Sequence, residues 1–89
     1  MISDTDYKRI YWHSRRGMLE LDLILVPFVE NRFRDLDHDN QSRYQALMES
    51  EDNDLFAWFL RREQPEDPEL ANIVGQILDF SGPAQNRAD

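Results

Sequence analysis

Cysteine is absent from the 89 residues of the chain. Its absence excludes disulfide bonds, cysteine-ligated zinc, iron–sulfur clusters and thiol nucleophiles. The fold must therefore be stabilised by packing alone, which is typical of a cytosolic protein. Glycine is also scarce, and Gly17, Gly75 and Gly82 are isolated from one another. The sequence therefore offers no glycine-rich loop that would bind phosphate or a dinucleotide.

Long apolar runs are missing as well. The longest covers the seven residues 23–29 and contains Pro27, whereas a membrane-spanning helix needs about 20 apolar residues. The first residues include Asp4 and Asp6, and so lack the basic and then apolar pattern of a secretion signal. We therefore expect no membrane insertion and a cytoplasmic location.

Basic residues are outnumbered, with 10 Lys and Arg against 18 Asp and Glu and a net charge of −8. Four bases and two acids give residues 1–16 a net charge of +2, whereas residues 17–89 carry −10. An acidic body repels phosphate backbones, which argues against a nucleic-acid partner. Solubility is a sufficient explanation for the acidity of residues 17–89. The small basic end, residues 1–16, is typical of a protein that docks that end onto a chosen partner.

Apolar residues recur at helical spacing along nearly the whole chain, and β-branched residues are few. This pattern predicts an all-α fold, a small bundle of about five helices. The length allows one domain. We expect that domain to cover residues 1–80, with a flexible C-terminal tail over residues 81–89.

Capping residues place the start of the bundle. Ser3, with Asp6 three residues further on, predicts the start of a first helix that ends near Ser14. Gly17 is the residue type that most easily adopts the left-handed turn between two helices.

The second helix is expected over residues 18–33. It is apolar on almost every side through residues 23–29, so it should be the central and most buried element. Pro27 predicts a kink in this helix. Periodicity alone leaves a buried strand over residues 23–29 open as an alternative.

Three further helices follow. Asp37 is expected to cap the third, and Asp52 or Asn53 to open a short fourth. The fifth should begin with Asp67 as N-cap and Pro68 as its first residue, and stop at residues 82–83, a Gly-Pro pair. The third and fifth helices carry clear apolar stripes: Tyr44, Leu47 and Met48 on the third; Leu70, Ile73, Val74, Ile77 and Leu78 on the fifth.

No arrangement of residues predicts catalysis. His13 and His38 lack the spacing to serine and acid that acyl transfer requires. The carboxylates crowd the predicted helix starts, where they complement the helix dipole. We therefore expect that the chain is not an enzyme.

A calcium loop is the one metal pattern worth testing, because Asp35, Asp37 and Asp39 occupy its first, third and fifth positions. The sixth position is Asn40 where such a loop has glycine, and the twelfth is Ala46 where it has a bidentate glutamate. We expect no metal site, and interpret residues 35–39 as a turn between helices followed by a helix cap.

The aromatic residues divide into two groups. Phe56, Trp58 and Phe59 have the spacing of core packing on a short helix, with a ligand platform as the alternative. Trp12 lies beside Arg15 and Arg16, and tryptophan with arginine is typical of interface anchors. We expect Trp12 to be partly exposed.

Residues 15–20 read RRGMLE and form the predicted junction between the first two helices. A structural role explains them: the arginines and Glu20 complement the poles of the two helices, and Gly17 allows the turn. Two arginines, a glycine and a carboxylate on one convex corner equally favour docking of a partner. With Arg16 exposed, replacing it by alanine should barely change the melting temperature.

Residues 16–20 match the RGxxE pattern of the succinate dehydrogenase assembly factor family, which includes bacterial FAD assembly factors and mitochondrial relatives. The match continues through Leu21, Asp22, Pro27 and Phe28. A second block, residues 54–58, resembles the acidic and tryptophan-containing segment of that family, with Asn53 where proline is common. The resemblance covers about residues 7–80.

The resemblance implies a five-helix protein that is not an enzyme. It would bind the flavoprotein subunit of succinate dehydrogenase, and in bacteria that of fumarate reductase, and promote covalent attachment of FAD to a histidine of that subunit. By analogy, the contact surface would comprise the motif residues and their neighbours: Arg16, Gly17 and Glu20, with Arg15, Met18 and Asp22 beside them. We include Trp12 as well, because tryptophan beside arginine is typical of interface anchors.

FAD would then be carried by the partner and not bound tightly by this chain, which we expect to be a monomer. Members of the same family have also been described as antitoxins paired with a small membrane toxin. That binding role is the alternative function, and nothing in the sequence decides between the two.

Overall fold

The computed structural model describes residues 3–86, with side chains for residues 3–81. Among these residues there is no strand, so the predicted all-α bundle of five helices is confirmed and the strand alternative is wrong. The radius of gyration is 12.4 Å, close to the value of about 12 Å typical of a compact domain of this length. The helices, joined in one place by a 3₁₀ turn over Phe33–Asp35, are α1 (Asp4–Ser14), α2 (Leu19–Arg32), α3 (His38–Leu47), α4 (Asp52–Phe59) and α5 (Pro68–Asn86).

The first helix starts and ends where its capping pattern predicts. The Ser3 side-chain oxygen accepts a hydrogen bond from the Asp6 backbone N–H at 3.1 Å, which satisfies one of the free amides of the first turn. After Ser14 the backbone becomes extended at Arg15. Gly17 then has φ of +82°, the left-handed conformation predicted for it.

Helix α2 lies at the centre and packs against α1, α4 and α5. Leu21, Leu25 and Val29 are almost completely buried. The helix is the central, strongly buried element that the sequence predicts. Not all of its apolar residues lie in the core, however, because Leu19 is 69% exposed and Leu23 is 65% exposed. Helix α1 and the other neighbours do not cover this face of α2.

The turn predicted over residues 35–39 is confirmed. The 3₁₀ turn ends at Asp35, the backbone at Leu36 is extended, and the Asp37 carboxylate accepts from the Asn40 N–H at 2.9 Å. Helix α4 opens at Asp52, one of the two predicted positions.

Helix α5 begins as predicted but runs further. The Asp67 carboxylate accepts a hydrogen bond from the Glu69 N–H at 2.9 Å. These two residues flank Pro68, the first residue of the helix. The helix continues to Asn86, so the predicted stop at residues 82–83 is wrong. Proline removes a backbone donor, but its fixed φ is itself helical, so the pair weakens the helix without ending it. Residues 87–89 of the expected tail lie outside the described residues, and the flexibility of that tail stays a prediction.

An aromatic cluster forms the middle of the core. Tyr44 is completely buried, with its ring centroid 5.8 Å from that of Phe28 and 5.5 Å from that of Phe33. Its hydroxyl lies 2.7 Å from the Ser14 hydroxyl, which in turn donates to the Ile10 carbonyl at 2.8 Å. Since the serine proton is used for Ile10, Tyr44 must be the donor to Ser14.

None of the helices in the described part of the chain has the length and hydropathy needed to cross a membrane.

Candidate functional site

The junction between α1 and α2, residues 15–18, forms a braced corner of the molecule. The Arg15 N–H donates to the Trp12 carbonyl at 3.1 Å as α1 ends. The Asp22 carboxylate accepts from the Arg16 backbone N–H at 2.9 Å, and the Asp22 N–H donates to the Met18 carbonyl at 2.9 Å. Asp22 therefore holds the junction against the first turn of α2.

The Arg16 side chain points inward, so the expectation that it is exposed is wrong. Only 12% of the side chain is accessible to solvent. Its Nε donates to the Asp52 carboxylate at 2.8 Å. Its two terminal nitrogens donate to three backbone carbonyls, those of His13 at 2.9 Å, Met48 at 3.1 Å and Ser50 at 2.9 Å.

These bonds make the Arg16 guanidinium an internal clamp between three elements. His13 belongs to the last turn of α1, Met48 and Ser50 follow α3, and Asp52 opens α4. A planar guanidinium with five donors suits such a set of acceptors, and hydrogen bonds from a charged donor are the stronger kind. The arginine of the motif thus fixes the shape of the corner, while its part in partner contact stays a prediction.

Two other motif positions and the preceding Arg15 are presented to solvent. Arg15, Gly17 and Glu20 are exposed, whereas Met18 packs partly against the core. A Cβ atom built on Gly17 meets no atom within 4 Å. Glycine is needed here for its backbone conformation, and the space above it is open for a partner's backbone to approach.

An apolar surface continues from the corner along α1 and α2. Trp12 is 63% exposed, as the sequence predicts, and the Arg15 guanidinium carbon lies 5.6 Å from the centroid of its ring. Leu19 and Leu23 follow on α2, one helical turn apart. A shallow groove of about 310 Å³ runs beside them, lined by Tyr11, Arg15, Leu19, Asp22, Leu23, Val26 and Pro27.

Sequence reasoning missed Leu23 as a surface residue and passed over Leu19. Leu23 belongs to the apolar run of residues 23–29, whose other members are mostly core residues, and Leu19 belongs to the junction at residues 15–20. Helical phase carries the signal that separates them: Leu21 and Leu25 point into the core, and Leu19 and Leu23 are two residues removed from these, on another face.

The second block of the resemblance, residues 54–58, serves mainly packing. Leu55 and the following Phe59 are buried, and Trp58 packs against the core. The prediction of core packing is therefore confirmed for Phe59 and Trp58, whereas Phe56 is half-buried and lies outside the core cluster. Asp52, which opens α4 two residues before this block, is hydrogen-bonded to Arg16, so the clamp connects the first block to the start of the helix that carries the second.

The described residues contain no group of three histidine, aspartate or glutamate side chains placed to hold a metal ion.

The fold and the site define a small all-α protein with a braced, partly apolar corner. The family model described as flavinator of succinate dehydrogenase matches residues 8–81. The chain belongs to this family, which confirms the resemblance seen in residues 16–20 and 54–58.

Named relatives agree with this assignment. The chain is 53% identical to the FAD assembly factor SdhE of Pseudomonas aeruginosa over 79 residues, which cover 89% of this chain and 94% of the relative. It is 45% identical to the protein of the same name from Shewanella oneidensis, over 84% of this chain and 92% of the relative. It is 41% identical to the protein of the same name from Idiomarina loihiensis, over 82% of this chain and 81% of the relative.

Proposed function

We propose that the chain is a FAD assembly factor, which binds the flavoprotein subunit of succinate dehydrogenase and promotes covalent attachment of FAD to that subunit. Family membership over residues 8–81 is the observation that carries this proposal. The exposed motif residues Gly17 and Glu20, together with the exposed Arg15 beside them, support the corner as the contact surface. All three relatives described above are called FAD assembly factors, which gives the antitoxin alternative no support.

The chain contributes binding and not chemistry in this proposal. The corner holds the flavoprotein so that the partner's own histidine faces its FAD, and the attachment then proceeds through proximity. FAD stays with the partner throughout. We further propose that the chain acts as a cytoplasmic monomer, and that the flavoprotein of fumarate reductase is a second partner.

Loss of the gene tests the function directly. Covalently bound flavin fluoresces in denaturing gels, so a deletion strain should show a flavoprotein band with strongly reduced fluorescence, restored by the wild-type gene. An undiminished band in the deletion strain would contradict the proposal.

A pair of glutamates on α2 tests the site. Glu20→Ala removes the motif carboxylate, whereas Glu30→Ala removes an exposed carboxylate from the same helix outside the motif. We expect Glu20→Ala to bind the flavoprotein at least tenfold more weakly and Glu30→Ala to bind within threefold of wild type, with similar melting curves for both. Equal binding by the two variants would exclude the corner as the contact surface.

A further inference from the structure

Exposed apolar side chains are concentrated at one place. Of the four large hydrophobic residues that are exposed in the described part of the chain, Trp12, Leu19 and Leu23 adjoin one groove, and only Leu60 lies elsewhere. Each of the three is more than 60% exposed. We call this surface the α1–α2 groove; Tyr11, Arg15, Leu19, Leu23, Val26 and Pro27 line it, and Trp12 adjoins it through the Arg15 guanidinium that lies over its ring. Clusters of this kind mark interaction sites more often than scattered single residues do.

The α1 side of the groove is basic. Lys8, Trp12 and Arg15 are spaced i, i+4 and i+7, so they share one stripe of the helix. Lys8 and Arg15 are both exposed, and neither takes part in an ion pair among the described residues. The only acid lining the groove, Asp22, already accepts a hydrogen bond from the Arg16 backbone. The groove and its α1 edge therefore combine two leucines, two aromatic rings and the cations Lys8 and Arg15, in a chain whose net charge is −8.

The charge of the groove distinguishes two kinds of occupant, a second copy of this chain and a segment of another protein. A two-fold pairing of the groove with its copy would place two basic stripes side by side, which repulsion between like charges disfavours. An acidic and apolar segment of another protein matches both halves of the surface. The groove is also continuous with the motif corner, because Arg15 and Leu19 belong to both.

We propose that the α1–α2 groove receives a segment of the flavoprotein subunit that places apolar side chains on Leu19 and Leu23 and carboxylates beside Lys8 and Arg15. This inference rests on the proposed function and extends it from the RGxxE residues to a neighbouring surface. In it Leu19, Leu23 and Trp12 are the anchors of the contact, and the two cations select an acidic partner segment.

Binding to the purified flavoprotein subunit tests the apolar half. The double variant Leu19→Ala/Leu23→Ala should bind at least 30-fold more weakly than wild type. Leu60→Ala, which truncates an exposed leucine outside the groove, should bind within threefold. Leu19 and Leu23 are mostly exposed, so the double variant should melt close to wild type. Leu60 is 39% exposed, so its truncation should lower the melting temperature somewhat more while leaving binding intact.

A charge reversal tests the basic half independently. Arg15→Glu should weaken binding at least tenfold. Arg9→Glu is the matched control: it lies on the same helix and makes the same change of charge. Arg9 pairs only with the exposed Asp6 and faces α3 across another depression. It should bind within threefold of wild type.

A photo-crosslinking residue at position 23 identifies the occupant. We expect a crosslink to a flavoprotein peptide that contains both apolar residues and Asp or Glu. A crosslink to a second copy of this chain, or to a peptide rich in lysine and arginine, would overturn the inference.

The outcomes separate the two proposals. If wild type does not bind the flavoprotein, the proposed function and this inference both fail. If wild type binds and the double leucine variant binds equally well, or Leu60→Ala loses as much affinity, the groove is not the site and the proposed function stands. Loss of binding confined to the groove variants supports both.

Discussion

The Arg16 guanidinium donates to three backbone carbonyls and one carboxylate, all of which lose this donor if the side chain is removed. A partly buried carbonyl that loses its donor costs about 1–3 kcal/mol, and less where water can replace the donor. The neighbouring Arg15 is exposed, with its guanidinium over the Trp12 ring. Two consecutive arginines thus have different physical roles.

We predict that Arg16→Ala lowers the free energy of unfolding by about 2–3 kcal/mol. In a domain of this size, that loss lowers the melting temperature by roughly 10–20 °C. The melting temperature of Arg16→Lys should fall between those of wild type and Arg16→Ala, because a single ammonium cannot reach all the acceptors. Arg15→Ala serves as the control and should melt within about 0.5 kcal/mol of wild type. Thermal melts followed by circular dichroism measure all three, and an Arg16→Ala curve matching wild type would contradict the clamp.

Tyr44 gives the protein a sensitivity to alkaline pH. Burial raises the pKa of Tyr44 far above its ordinary value, which is about 10. The unfolded chain therefore loses this proton above pH about 10 while the folded chain keeps it, so stability is present below that pH and falls as pH rises.

The test compares wild type with Tyr44→Phe. At neutral pH the variant should be less stable by about 1 kcal/mol, because the bond to Ser14 is lost. Above pH about 10 this deficit should narrow, since phenylalanine has no proton to lose. Urea titrations at pH 7, 9 and 10.5 would show it. A deficit that stays constant or grows with pH would contradict the role assigned to the hydroxyl.

Single residues also show what the sequence can reveal. Trp12 was correctly predicted to be exposed, because an aromatic residue beside two arginines is a local signal. The environment of Arg16 could not be predicted in this way, since three of its four acceptors lie 32 to 36 residues further along the chain. The docking roles of these residues rest on the resemblance, as local physics left the corner open to either interpretation.

At the scale of helices and turns, the α1–α2 junction depends on a single backbone conformation. Gly17 has φ of +82°, where an ordinary side chain adds about 1–2 kcal/mol of strain. We predict that Gly17→Ala loses that amount of stability although its Cβ would meet no neighbour. Gly17→Asn should lose less, because asparagine adopts this conformation more readily.

The same pair separates folding from docking. If a partner's backbone approaches Gly17, Gly17→Asn should weaken flavoprotein binding at least tenfold while remaining folded. Circular dichroism and a binding titration give the two readouts. A variant that is strained but binds normally would leave glycine a purely structural role at this position.

Helix starts were predictable and one helix end was not. Ser3, Asp37 and Asp67 each accept a hydrogen bond from an amide of the first turn that follows, a local interaction that the sequence displays directly. The end of α5 depends on how much a Gly-Pro pair weakens a helix already packed against α2, α3 and α4. Tertiary packing can outweigh such a local cost in helix stability, and packing between distant helices cannot be read from the local sequence.

At the scale of the whole molecule, one core serves all five helices. Leu25, Leu47 and Ile77, from three different helices, are completely buried in it. A chain of this length has a total stability of about 5–13 kcal/mol. Truncating one such residue, as in Leu25→Ala, costs about 2–5 kcal/mol.

We therefore predict a single cooperative unfolding transition. In a Trp12→Phe background, fluorescence reports on Trp58, which packs against the core. Its midpoint in urea should coincide with that of helix content measured by circular dichroism, and Leu25→Ala should lower both midpoints together. Fluorescence that changes well before the helical signal would contradict a single cooperative core.

The clamp at Arg16 also bears on the lifetime of the folded state. It joins groups up to 36 residues apart. Such a contact requires the intervening chain to close a loop, which costs conformational entropy. We expect these hydrogen bonds to be absent from the folding transition state, so that their loss accelerates unfolding and leaves the folding rate nearly unchanged. A loss of about 2 kcal/mol then corresponds to roughly 30-fold faster unfolding. The motif arginine would thus determine how long the corner persists between openings, and with it the time available for a partner to dock.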